Sequence, residues 1–443
     1  MVTVERGTTK TINFSSLLDQ IKKGIALFPD KRKGKNKHFS LEDIVLAAFS
    51  VFFTQSPSFL AFQKGMLEAR GSSNCQTIFN MTDIPTDTHI KTILDEVPPE
   101  KVFPIFDNIM AMMIDAGILD NFRCVKNDLL LVLDGTQYFS SDKIHCDKCS
   151  TREKNDKITY HHSAITPAFV SPQYKKALAM APEFIHKQDG TLKQDCERNA
   201  GKCWLSRMGE SLSPLGITIC GDDLYANQPF CEAVLNEDMN FLFVCKPQSH
   251  KWLYEWVDIN EKEGELHEFM QEDGHGKKKL TSCYRYTQNV PLKDHEDALT
   301  VNWIEVIVSD SNGKQVYHNA FITNHTINSS DEAVEIVKAG RARWKIENEN
   351  NNTLKTKGYH LEHNFGHGKN HLSETLASLN ILAFLFHTLM ELCDKRYQLI
   401  RKTLPRRDMF FDDIRALTRY FCFDDWVHLM KTMLEGLKLE DPG

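Results

Sequence analysis

Two short apolar runs that each stop at an acidic residue constrain this chain more than any other feature. Leu129–Leu133 reads LLLVL and ends at Asp134; Ile217–Cys220 reads ITIC and ends at Gly221-Asp222-Asp223. Apolar runs this short, bounded by turn formers, suit strands that are covered on both faces. They call for a sheet with helices packed on both sides. The surrounding segments agree: Tyr160–Val170, Glu183–Lys187 and Phe241–Cys245 are further strand candidates. Lys193–Met208 reads as a helix with one glycine, Gly201, and a short helix follows Asn227. Three strands, a helix, a strand, a helix and a strand predict an α/β fold with a mixed sheet.

The flanks follow other patterns. Residues 1–120 are mainly helical, with Ser40 placed to cap a helix over LEDIVLAAFSVFF and Thr86 or Thr88 another over HIKTILDEV. Residues 121–250 form the first part of the α/β core. Residues 251–328 read as a β-rich insertion of polar loops and a hairpin, Trp303–Val308 and Gln315–Thr323 flanking Ser311-Asn312-Gly313. Helical periodicity returns after a Ser329-x2-Glu332 capping box and runs to Lys355, within a final core part at 329–392. A helical extension occupies 393–443. Leu376–Leu392, interrupted by Asn380 and His387, is a buried helix rather than a bilayer span. With no apolar leader at the N-terminus, the expectation is a cytoplasmic protein without a membrane partner.

The 443 residues allow about two to four domains. A net charge of −7 is not that of a uniformly basic nucleic-acid protein, so any such role rests on local clusters. Two exist: Lys31, Arg32, Lys33, Lys35 and Lys37, and Arg401, Lys402, Arg406 and Arg407. Each reads equally as a phosphate contact or a solvated loop. Of twelve cysteines, most sit singly in apolar segments; Cys220 and Cys245 lie in strand-like runs as small buried hydrophobes. A disulfide framework does not fit a chain this long without an export signal.

Asp134 and Asp222 share one context, an acid where a buried strand ends, and crevices at the carboxyl ends of strands are where α/β sheets build sites. Taken singly, such an aspartate is commonly a turn or cap residue. Two carboxylates brought together there repel unless a divalent cation lies between them. Mg²⁺ (or Mn²⁺) takes hard oxygen ligands and fits phosphoryl transfer by two ions roughly 3.5–4 Å apart. A third acid is expected at Glu347. Arg343 four residues before it and Asn351 four after share its helical face, while Glu349 lies roughly 200° round the helix. Asn348, Asn350, Asn351 and Asn352 each cost a helix roughly half a kcal/mol relative to Ala. They line a wet anionic groove, or the helix ends there with the asparagines as caps.

The segments LVLDGTQYF, KQDCERNA, ICGDDLYAN and GRARWKIENENNNTLK followed by LEHNFGHG resemble those of DDE transposases of bacterial insertion sequences, nearest to the group not yet classified. The resemblance spans about residues 125–390. Members of that family show a strand-end Asp-Gly, an Asp in an Asp-Arg-Gly-Phe-like turn, and a helix reading Tyr-x2-Arg-x3-Glu-x6-Lys. Asp134 and Asp222 take the first two places, with Asp223, Leu224 and Tyr225 replacing the rest of the turn. Arg343-x3-Glu347 matches the third motif, but Gly340 stands for its tyrosine and Leu354 for its lysine, with Lys355 one position late. The resemblance implies a ribonuclease H-like mixed-sheet core with a β-rich insertion. It implies Mg²⁺-dependent cleavage of double-stranded DNA at transposon ends, strand transfer into target DNA, and a homodimer on the DNA of the bacterial nucleoid. Asp134, Asp222 and Glu347 would be catalytic and hold the metals; Arg343, Lys355, Asn351, Trp344 and Lys369 would contact DNA. Trp344 reads equally as a core residue. Two other readings stay open at this point, a regulatory DNA-binding protein on the same fold and a metal-dependent nuclease without a transposition role.

Cys146-x2-Cys149, in the loop after the first acid-bearing strand, resembles half of a structural zinc site. The missing half is His161 or His162, Cys124, or one of His360, His363, His367 and His371; the rival is a pair of free thiols in a surface turn. Asp195, Arg198 and Lys202 share a helix face, an ion-pair row or supporting contacts.

Overall fold

The computed structural model describes residues 12–32, 37–67, 71–187, 193–404 and 406–443. The first part is helical: α1 (Phe14–Ile25), α2 (Leu41–Phe53), α3 (Phe59–Leu67), α4 (Gly71–Thr77), α5 (Asp87–Leu94) and α6 (Phe103–Asp115). Ser40 caps α2 in a capping box with Asp43, and Thr86, rather than Thr88, caps α5. The strands follow: β1 (Leu129–Val132), β2 (Gly135–Ser141), β3 (Ser150–Lys154), β4 (Lys157–Ile165), β5 (Ala168–Val170), β6 (Leu178–Ala179) and β7 (Glu183–Ile185). Next come α7 (Lys193–Leu212), β8 (Ile217–Gly221), α8 (Gln228–Asn236), β9 (Asn240–Val244) and α9 (Lys251–Glu263). After them run β10 (His267–Asp273), β11 (Leu280–Pro291), β12 (Thr300–Asp310), β13 (Gln315–Thr323) and α10 (Ser330–Ala342). The chain finishes through α11 (Asn352–Thr356), α12 (Leu372–Cys393), α13 (Lys395–Thr403), α14 (Arg407–Tyr420) and α15 (Trp426–Gly436).

Among the described residues a nine-stranded mixed sheet runs β10-β11-β12-β13-β9-β8-β1-β5-β6. β1, β8 and β9 are parallel neighbours, and β5 is antiparallel to β1. All four residues of β1 are buried, because alternate side chains point to opposite faces. Leu129, Leu131 and Leu133 enter one core with α7, α8 and α12; Leu130 and Val132 enter another under α10. A second sheet, β2-β4-β3 with β7 on β4, rises directly after Asp134.

Three expectations change. The strand expected over Tyr160–Val170 is two, β4 on the second sheet and β5 on the first, broken at Thr166-Pro167. Pro167 has no N–H to donate, and the chain changes sheets there. The loops expected at the start of 251–328 are helix α9, whose Leu253, Val257 and Asn260 are buried at three- and four-residue spacing and whose end is closed by Gly264 at φ 75°. In the rest of that segment β13 pairs with β9, so β10–β13 continue the main sheet. The hairpin turn forms as expected, with Gly313 at φ 79°. The third change is in the helix over 329–355, which is interrupted by a π-helical turn, Ile346–Asn351.

α12 is long and apolar enough to cross a membrane by length and composition, yet 83% of its most apolar window is buried in the protein. Phe386 on it meets Phe49 of α2 with ring centroids 4.8 Å apart, and Phe14 of α1 stacks on Trp426 of α15 at 4.8 Å. The helices before the sheet and those after it therefore pack against each other. On the opposite core, a Cβ at Gly340 of α10 would sit 2.6 Å from the fully buried Phe321 ring of β13. The missing side chain lets helix and sheet approach there. Gly340→Ala is expected to lower stability by about 1–3 kcal/mol through overpacking. Urea melts that match the unsubstituted chain would show that this contact yields at no cost.

Candidate functional site

β1 and β8 pair in register, Val132 opposite Cys220, and Leu133 N–H donates to the Cys220 carbonyl at 2.9 Å. Their carboxyl ends therefore deliver Asp134 and Asp222 to the same edge of the sheet. Asp222 Oδ1 accepts the Leu224 N–H at 2.9 Å, so it also stiffens its own turn. Asp223 accepts from Lys246 N–H (2.7 Å) and Ser249 Oγ (2.6 Å), tying this turn to the loop after β9.

The third acid comes from the π-helical turn. Arg343 Nη1 donates to Glu347 Oε1 at 3.0 Å, and Asn351 Nδ2 donates to Asp134 Oδ2 at 2.8 Å. Buried Lys345 reaches the carbonyls of Ser171, Pro172 and Tyr174, holding the turn against the end of β5. π-turns widen a helix locally and recur at functional sites.

Asn351, expected on DNA, is corrected by these contacts: it is buried and its amide faces Asp134. Its Oδ1 accepts from Thr166 Oγ1 (2.7 Å) and Asn350 Nδ2 (3.0 Å), so its NH₂ end must point at the carboxylate. Asn351 positions Asp134.

Burial pushes the Asp134 carboxyl up, to about 7. Arg343 opposes the shift, while the charges of Glu347, Glu197 and Asp222 add to it. Glu197, on α7, is an acid that the sequence reading passed over. A Cβ at Gly135 would sit 2.5 Å from its carboxyl carbon, and Tyr225 Oη donates to its Oε1 at 3.2 Å. The signal lay in KQDCERNA beside the Asp134-Gly135 pair, because only a glycine there admits the carboxylate. Three further acids thus lie near enough to Asp134 for their charges to act on it, and Arg343 offsets part of that charge. Among the described residues no three of these acids, Asp134 included, have ligand atoms all within 4.8 Å of one another, so the cluster is open. Its donors are all hard oxygens, and its excess negative charge fits Mg²⁺ or Mn²⁺.

The other expected contacts divide. Trp344 is 46% exposed, which rules out the core role. Lys355 Nζ pairs with Glu362 at 3.0 Å. Lys369 is exposed, in a loop whose backbone N–H groups from Lys369 to Leu372 all donate to Asp95. Several members of the basic clusters pair with nearby acids, whereas Lys402 is exposed and Arg401 donates to backbone carbonyls. Lys31 pairs with Glu96, and Arg32 and Lys37 with Asp30; Lys33, Lys35 and the Asp195 side chain lie outside the described residues. Arg406 pairs with Asp408, and Arg407 is mostly buried, donating to Tyr359 Oη at 2.9 Å.

A second constellation lies beyond β2. Cys146 Sγ and Cys149 Sγ are 3.9 Å apart, and His162 Nε2 lies 3.5 and 3.3 Å from them. His367 Nε2 lies 3.6 Å from Cys149 Sγ. All four ligand atoms are within 4.8 Å of one another. His161 and Cys124 are not in the set; adjacent residues of β4 face opposite ways, so only one of His161 and His162 can join it. Burial holds the His162 imidazole neutral, down at about 3, and pushes the Cys149 thiol up to about 11.

No family model matches the chain, and no curated protein matches it. Among solved structures, the cryo-EM structure of the piggyBac transposase synaptic complex with hairpin DNA is similar over 97% of this chain and 84% of that one, at 10% identity and a TM-score of 0.39.

The raised Asp134 carboxyl has a pH signature. Above about pH 7 it is ionised in the folded and the unfolded chain, and its repulsion and desolvation weaken the fold. Below about pH 4 it is protonated in both and the penalty is gone. Without divalent cations, Asp134→Asn is expected to raise the melting temperature near pH 8, with the gain shrinking as pH falls from about 7 to about 4. A gain that is constant or grows on acidification would contradict the clustering of acids.

Proposed function

We propose that the chain is a DDE-type transposase of the bacterial insertion-sequence kind, cutting DNA at transposon ends and joining the freed 3′-hydroxyl to target DNA. The observation that supports this reading is that Asp134 and Asp222 follow two paired parallel strands, with the charges of Asp222, Glu197 and the Arg343-paired Glu347 all acting on Asp134. A mixed sheet with β1, β8 and β9 parallel, β5 antiparallel and helices on both faces supports a ribonuclease H-like core.

Asp134, Asp222 and Glu347 would hold two Mg²⁺ or Mn²⁺ ions. Bound there, such a pair activates the attacking oxygen and stabilises the leaving oxygen of an in-line displacement. The chain's own groups prepare the site. Asn351 fixes the rotation of the Asp134 carboxylate through one of its oxygens. Arg343 offsets part of their charge and, through its planar fork, suits a phosphate oxygen of the strand being cut. Exposed Trp344, one residue on, offers a ring face on which an unpaired base can stack. Lys355 and Lys369 are the further DNA contacts of this reading, and paired ends call for a homodimer on DNA in the bacterial cytoplasm.

The test is cleavage of a supercoiled plasmid carrying the DNA that flanks the gene on both sides. Nicks dependent on Mg²⁺ or Mn²⁺ are expected at the element's ends. Asp134→Ala, Asp222→Ala and Glu347→Gln should each abolish them while circular dichroism shows the fold retained. Cleavage that survives in one variant removes that residue from the site. A folded, unsubstituted chain that leaves the plasmid intact with both metals ends the proposal.

A further inference from the structure

We propose that Cys146, Cys149, His162 and His367 bind one structural Zn²⁺ in a tetrahedral S₂N₂ site. The argument is geometric. With Zn–S near 2.3 Å and Zn–N near 2.0–2.1 Å, a tetrahedron places its two sulfurs about 3.8 Å apart and each sulfur about 3.5 Å from each nitrogen. The measured edges are 3.9 Å between the sulfurs and 3.5, 3.3 and 3.6 Å between sulfur and nitrogen. Hydrogen bonding alone gives no reason for two thiols and two imidazole nitrogens to converge from segments some 200 residues apart. A disulfide needs the sulfurs at about 2.05 Å and has no use for the two rings.

The donor chemistry selects the ion. Two cysteines and two histidines in a closed set suit zinc, whereas the all-oxygen acids at the strand ends suit Mg²⁺. Cys149 and His162 are buried and His367 is 9% exposed, leaving no open coordination position of the kind catalytic zinc requires. The surroundings hold the ligands in place. Cys146 N–H points at Cys149 Sγ (3.4 Å), a contact that favours thiolate charge. The His367 ring lies 4.4 Å from the Phe139 ring and 5.1 Å from His162. Its Nδ1 is buried without a hydrogen-bond partner, so ring packing rather than a second hydrogen bond orients it.

The site would join two distant parts of the chain. Cys146 and Cys149 lie in the loop between β2 and β3, and His162 on β4, of the second sheet, which starts one residue after Asp134; His367 lies between α11 and α12, past the turn that carries Glu347 and Asn351. Two contacts already point the same way. Lys148 Nζ meets buried Glu374 of α12 at 3.0 Å, and Asp95 gathers the N–H groups just after His367. Zinc binding itself does not rest on the transposase reading.

The full-length chain, purified without a metal-affinity tag, is expected to carry about one zinc by elemental analysis. After exchange with Co²⁺ it should show the intense visible bands of a four-coordinate ion together with thiolate-to-metal charge transfer. Cys149→Ser and His367→Ala should each lose the zinc, while His161→Ala, on the other face of β4, should keep it. Chelation should lower the melting temperature of the unsubstituted chain and leave that of Cys149→Ser unchanged. A chain that takes up neither zinc nor Co²⁺ under reducing conditions, a Co²⁺ spectrum without thiolate charge transfer, or full zinc retention in His367→Ala would overturn the assignment. The Co²⁺ spectrum decides even if the substituted chains fail to fold.

Discussion

A carboxylate held partly out of water beside other carboxylates is the constraint around which this chain is arranged. Asp134 would turn outward or pair with a lysine if the fold allowed it. Parallel pairing of β1 with β8 instead sets it beside Asp222, and the amide of Asn351 holds it there. The asparagine cannot relax, because Thr166 and Asn350 both donate to its oxygen. Gly135 leaves room for Glu197 on another side. Each device places negative charge where desolvation makes it costly, and such arrangements belong to sites that bind cations or perform chemistry.

The two donor sets are kept apart by hardness. Oxygens gather at the ends of the parallel strands, in a cluster whose Glu347 side chain is half-exposed. Sulfur and imidazole gather beyond β2 in a closed one. Both draw on the lengths of chain following β1 and α10, the acids adding Asp222 after β8 and Glu197 on α7.

In the helical parts, several members of the two basic clusters are drawn to acids or into the core. Arg407 is directed inward to Tyr359 and Glu391, and Tyr359 Oη also meets His387 at 2.6 Å on buried α12. Polar groups buried in a helical core need partners, and the arginine supplies one. In the N-terminal cluster, Lys31, Arg32 and Lys37 meet Glu96 and Asp30. Positive charge in a sequence is thus a poor guide to positive potential on a surface.

What could be read along the chain was local. Apolar runs of strand length, the helix caps at Ser40 and Ser329, the Asn312-Gly313 hairpin turn and the Arg343-Glu347-Asn351 spacing are set within a few residues, where periodicity and capping act. What the tertiary structure decided involved partners far apart: His162 and His367 as the histidines beside the cysteine pair, Glu197 beside Gly135, the inward turn of Asn351, and the change of sheet at Pro167. These depend on which strands pair and which faces meet, and short-range pattern carries no record of that. A cysteine pair announces half a site; only closure of the chain over some 200 residues supplies the other half.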